Sequence, residues 1–82
     1  KFDFIYIDGY AHTGQDGGTT MRRWWNRLCP GGIMAGHDYH PRWQPTVEAV
    51  NQFASDFNLH INLTDGGPEG TADEFPSWWV LK

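Results

Sequence analysis

Basic residues, cysteine and long apolar runs are all scarce in this chain, and each scarcity excludes something. Six Lys and Arg stand against ten Asp and Glu, a formal charge of −4. That is the wrong sign for a protein that gains affinity by neutralising the phosphates of a nucleic acid. A single cysteine, Cys29, leaves no internal disulfide framework and fits a reducing compartment, so the expected location is cytoplasmic. No apolar run approaches the roughly 20 residues that span a bilayer, and no signal-peptide pattern opens the chain. Neither a nucleic acid nor a membrane is therefore expected as a partner. Internal repeats and low-complexity segments are lacking too. What is present is core material: 39% of the 82 residues are hydrophobic and five are Trp, which argues for one compact unit rather than a disordered tail.

The order of elements reads as strand, helix, strand, helix, strand, loop, strand. Phe2 to Ile7 is a near-continuous apolar run closed by Asp8-Gly9, the signature of a strand buried on both faces of a parallel sheet. A loop with Gly14, Gly17 and Gly18 follows. Met21, Trp24, Trp25 and Leu28 then recur at helical spacing over about 19 to 29, with Thr19 or Thr20 as N-cap and Pro30-Gly31-Gly32 as terminator. Ile33 to Gly36 is a short buried strand. The second helix starts at a Thr46 cap with Glu48 in its first turn, and places Val47, Val50, Phe53, Ala54 and Phe57 along one stripe. Leu59 to Thr64 alternates as a half-exposed strand does, Asp65 to Glu74 is a Gly-rich and acidic loop, and the last strand runs from about Ser77 to Leu81. This order is one half of a doubly wound α/β sheet. Apolar runs at both termini suggest the C-terminal portion of a longer domain, marginal by itself because its first strand expects a partner on the other edge.

In open α/β sheets ligands bind beyond the carboxyl ends of the strands. Asp8 closes the first strand and His37-Asp38 the next. If those strands are parallel neighbours they lie about 4.8 Å apart, and their terminal side chains share a crevice. Two carboxylates there repel, and a divalent cation relieves the repulsion; a mostly oxygen donor set suits Mg²⁺ or Mn²⁺ better than Zn²⁺. His12, in the loop after Asp8, is the candidate general base. Bland readings stand beside these: Asp8-Gly9 as a turn, His37 and His12 as loop histidines. His40 and His60 read as structural, and Arg22, Arg23 and Arg27 as a solvated basic helix face. The glycines do not form a dinucleotide fingerprint. Asn62-Leu63-Thr64 matches a glycosylation sequon but falls in an expected strand of an intracellular chain.

The run Phe2-Asp3-Phe4-Ile5-Tyr6-Ile7-Asp8-Gly9, a following His, a Trp-bearing helix, Pro30-Gly31-Gly32-Ile33-Met34-Ala35-Gly36-His37-Asp38-Tyr39 and Val47-Glu48-Ala49-Val50 together resemble the class I S-adenosylmethionine-dependent methyltransferases. The nearest branch is the one called methyltransferase family 24, whose members include small-molecule O-methyltransferases. The resemblance implies that residues 1–82 are a partial methyltransferase domain, beginning at the fourth strand of a seven-stranded Rossmann-like sheet. The glycine-rich turn and the ribose-binding acid belong to the N-terminal half, so the fragment by itself is expected to be inactive. It further implies S-adenosylmethionine as cofactor with Asp8 among the residues that bind it, a divalent cation such as Mg²⁺ on Asp8, His37 and Asp38, and His12 as base. The expected reaction is methyl transfer to the hydroxyl of a small-molecule acceptor. The alternatives are a metal-assisted hydrolase built on the same carboxylates, and a non-catalytic fragment or interaction module.

Overall fold

The computed structural model describes residues 2–8, 13–71 and 74–82. The chain forms a mixed α/β fold: β1 (Phe2–Ile7), α1 (Thr19–Trp25), β2 (Leu28–Gly36), a 3₁₀ turn at Pro41–Trp43, α2 (Gln44–Asp56), β3 (Asn62–Leu63) and β4 (Trp78–Leu81). The four strands make one sheet in the order β1-β2-β4-β3. β1 and β2 are parallel, joined through α1, whereas β4 enters antiparallel between β2 and β3. The expected sequence of elements is thus present, on a sheet that is mixed in direction.

Several boundaries differ from the expected ones for identifiable reasons. α1 stops at Trp25, where Lys82 Nζ donates to the Trp25 carbonyl (2.7 Å) and sits over the indole (5.0 Å). A cation on a terminal carbonyl satisfies a group that helix ends leave open. Leu28 consequently begins β2 instead of ending α1. Pro30-Gly31-Gly32 does not terminate the helix; it forms an irregularity inside β2, where the register jumps from Phe2↔Leu28 to Phe4↔Ile33. Proline is tolerated at such bulges, and Gly31 takes the positive φ (86°) that the excursion requires.

The cap of α1 is also displaced. Gly18 is the N-cap, and the Asp16 carboxylate accepts from the Gly18 and Thr20 amides (3.0 and 3.1 Å) and from the Thr20 hydroxyl. α2 begins two residues before Thr46, with Pro45 in its first turn, where a missing N–H costs nothing. Thr46 is accordingly buried in the first turn, and Glu48 lies beyond it. β3 shrinks to Asn62–Leu63, although Leu59 and Ile61 before it still pack on the core.

One face of the sheet carries that core. Ile5, Met34 and Val80 are partners across the three main strands and point inward together. With Ile7, Leu28 and Trp78 they meet Met21 and Trp25 of α1 and Ala49, Val50 and Phe53 of α2 in a single cluster. Phe53 is fully buried and stands edge-on to Trp25 (5.0 Å between ring centroids). The other face departs from the reading of β1 as buried on both sides. Its aligned rows are Phe4-Ile33-Leu81 and Tyr6-Ala35-Trp79. Phe4 and Leu81 are 58% and 56% exposed, and no described helix covers them.

α1 and α2 are also tied by charge: Arg22 donates to Asp56 at 2.6 Å, while Gln52 donates to the other carboxylate oxygen at 2.8 Å. The Gln52 hydrogen bond and then the Arg22 hydrogen bond and charge hold the Asp56 carboxyl below its ordinary value of 3.8.

Two expectations follow from this packing. Phe53→Ala removes a buried ring between both helices and should cost about 3–5 kcal/mol, read as a lower urea midpoint. The Arg22–Asp56 bridge contributes fully above the unfolded carboxylate pKa and is lost as pH falls through the lower folded value. Stability measured against pH should therefore decline below about pH 4, and Asp56→Asn should flatten that part of the profile.

Candidate functional site

The parallel register of β1 and β2 ends at Ile7↔Gly36, so the residues that follow leave the same edge of the sheet side by side. These are Asp8 and His37. His37 Nε2 lies 3.5 Å from Asp8 Oδ1, an ion-pair distance that is longer than a good hydrogen bond. The Asp8 side chain is 83% exposed and that of His37 38%, so both face solvent and are reachable by a small molecule. Tyr6 supports the imidazole from the outward face of β1, with ring centroids 5.0 Å apart and planes near perpendicular.

Asp38 takes a different course. Its backbone is left-handed (φ 62°), a conformation Asp tolerates better than most residues. The turn takes the chain out of the strand direction, and Tyr39 then anchors it: its amide donates to the Pro76 carbonyl (3.0 Å) and its hydroxyl to Asn51 Oδ1 of α2. Among the described residues no group of three His, Cys, Asp or Glu side chains is placed to hold a metal ion. The expected set of Asp8, His37 and Asp38 is therefore brought together only as the pair Asp8–His37, and that pair does not make a divalent cation cage. His12 lies outside the described residues. His40 is structural, its Nδ1 accepting from the Arg42 amide (3.1 Å) at the start of the 3₁₀ turn, and His60 is exposed just before β3.

Two glycines fix the surroundings. A Cβ on Gly36 would lie 2.6 Å from Trp78 Nε1 and within 3 Å of two indole carbons, so only glycine lets the fully buried Trp78 ring close against the end of β2. That indole N–H has no hydrogen-bond partner among the described residues. Gly14 seats the loop after Asp8 on the start of α2, where its Cβ would meet the Thr46 amide nitrogen at 2.4 Å. Beside Asp8 a hollow of about 250 Å³ is lined by Tyr6, Ile7, Thr20 and Trp24. Sequence gives Tyr6, Thr20 and Trp24 no site role, because only the fold brings the exposed side of α1 next to the end of β1.

No protein family, no curated protein and no solved structure matches the chain. No helix among the described residues is long and apolar enough to cross a membrane.

Gly36→Ala tests how firmly the site is built. Because the clash is with a large, fully buried ring, the variant should lose about 1–3 kcal/mol of stability. The displacement should also appear as shifted ring resonances of His37, the adjacent residue, in NMR spectra.

Proposed function

We propose that this chain carries the catalytic edge of an S-adenosylmethionine-dependent methyltransferase acting on the hydroxyl of a small molecule, in the cytoplasm. The observation that supports this reading most is the Asp8–His37 pair beyond the carboxyl ends of two adjacent parallel strands, where open α/β sheets place their ligands. The finer assignment, to the C-terminal half of a Rossmann-like methyltransferase sheet, rests on the sequence resemblance and is compatible with the βαβ unit of β1, α1 and β2.

In this reading the cofactor supplies an electrophilic methyl group, and the residues of this chain handle the proton. Asp8 faces Nε2 of His37 and favours the tautomer that carries its proton there, which leaves Nδ1 as the acceptor. His37 Nδ1 takes the proton of the acceptor hydroxyl as the oxygen attacks the methyl carbon, and Asp8 stabilises the imidazolium that forms. Tyr6 limits the swing of the imidazole. His12 is a second candidate base on the resemblance. No step is assigned to a divalent cation, since the described donors do not assemble one, and a metal-assisted hydrolase would need that same cluster. The outer sheet face, on which Phe4, Tyr6 and Leu81 are exposed, favours a second reading, in which the chain is a non-catalytic interaction module.

Transfer from labelled S-adenosylmethionine, measured against pH in protein containing the N-terminal half of the domain, separates these readings. His37→Gln should lower the rate by about 10²- to 10⁴-fold, with the deficit shrinking as rising pH ionises the acceptor unaided. Asp8→Asn should lower it in the same direction, by less. Rates unchanged in both variants would remove His37 and Asp8 from the proton transfer, and no transfer above background in the unsubstituted protein would leave the interaction module as the better account.

A further inference from the structure

A groove of about 640 Å³ runs along the exposed side of α1, lined by Thr20, Arg23, Trp24, Asn26 and Arg27. Its charge is unusual for this chain, in which acids outnumber bases ten to six. Arg22 is already committed to Asp56, but neither Arg23 nor Arg27 has a carboxylate within ion-pair distance among the described residues. Two guanidinium groups lining one groove repel one another, and an anion between them converts that repulsion into attraction. The helix dipole accounts for a cation in the last turn of α1; it gives no reason for a second one beyond the helix end.

Trp24 supplies the other half of the recognition chemistry. Its indole is partly exposed (38%) yet held in place, with the Arg27 guanidinium 5.8 Å from the ring centroid and Phe2 packed edge-on at 5.7 Å. A fixed aromatic surface beside two guanidinium groups suits a ligand with a flat or apolar body and a compact anionic group. Thr20 and Trp24 also line the hollow that contains Asp8, so the basic groove continues into the candidate site. At about 1.5 Å per residue, Arg23 lies roughly 4–5 Å along α1 from Thr20, and Arg27 lies just past the helix end, so the groove has the length of a small molecule.

We propose that Arg23 and Arg27 bind the phosphate or carboxylate of an anionic small molecule whose body lies on Trp24 and whose far end reaches Asp8. This rests on the methyl-transfer reading only in making that molecule the acceptor; anion binding itself requires no turnover. The net negative charge of the chain disfavours an extended polyanion and leaves a compact one.

The test uses the 82-residue chain and three probes, phenyl phosphate, benzoate and neutral benzyl alcohol, followed by NMR at constant ionic strength. The Trp24 indole N–H is assigned by its loss in Trp24→Phe. Phenyl phosphate or benzoate should give a saturable shift at that resonance, the tighter of the two identifying the preferred anion, and benzyl alcohol should give none. Arg23→Gln and Arg27→Gln should each weaken the anion about tenfold or more, as expected for loss of a charge-assisted hydrogen bond. Arg42→Gln, which removes a guanidinium lying over the Trp43 and Phe75 rings on the 3₁₀ turn, should change nothing. Equal binding of benzyl alcohol, or anion affinity unaltered in both groove variants, would overturn the proposal. Anion binding that depends on both arginines, alongside no methyl transfer in protein that contains the N-terminal half of the domain, would uphold the groove and count against the transferase reading alone.

Discussion

The parallel pairing of β1 with β2 is the constraint on which the rest of this structure depends. Parallel neighbours cannot be joined by a tight turn, so the chain must cross over, and α1 with its flanking loops is that crossover. The same pairing sends Asp8 and His37 off one edge of the sheet in matching register. Gly36 then has to be bare of a side chain, because β4 enters on the other side of β2 and brings Trp78 against it. Core packing and site geometry are therefore set by one stretch of three residues, Gly36, His37 and Asp38, in which the strand ends, the imidazole emerges and the backbone turns left-handed.

The two faces of the sheet have different roles. The inner face buries Ile5, Ile7, Met34, Trp78 and Val80 against two helices, which is where the stability resides. The outer face leaves Phe4, Tyr6 and Leu81 exposed to solvent, although sheets with parallel strands are ordinarily covered on both sides. Tyr6 belongs to that outer face and also touches His37, so whatever meets the outer face is linked to the candidate site through a single ring.

Charge is distributed to similar effect. The Asp8–His37 contact is too exposed to contribute much to folding, since exposed ion pairs are typically worth about 0–1 kcal/mol. Its two groups are therefore available for chemistry without a large cost in stability. The Arg22–Asp56 bridge, also exposed, joins the two helices across 34 positions of sequence, and Gln52 holds its carboxylate in place from the preceding turn of α2.

Local sequence determined what depends on period and on adjacent residues. The apolar run of β1, the helical spacing of Met21 and Trp25, the stripe through Val50 and Phe53, and the placing of Asp8 and His37 at consecutive strand ends were all legible, because side-chain direction follows from φ and ψ within a few residues. Tertiary structure decided the rest. That β4 runs antiparallel between β2 and β3, that Pro30-Gly31-Gly32 is a bulge rather than a helix stop, and that Lys82 closes α1 all depend on contacts between segments far apart in the chain. The capping role of Asp16 escaped the reading because two threonines beside it were equally good candidates, and only the positive φ of Gly17 and Gly18 carries the chain back over that carboxylate. Asp38 shows the limit most clearly: next to His37 in sequence, it is parted from the Asp8–His37 pair by a left-handed turn that no periodicity announces, since a single dihedral angle sets where the chain goes next.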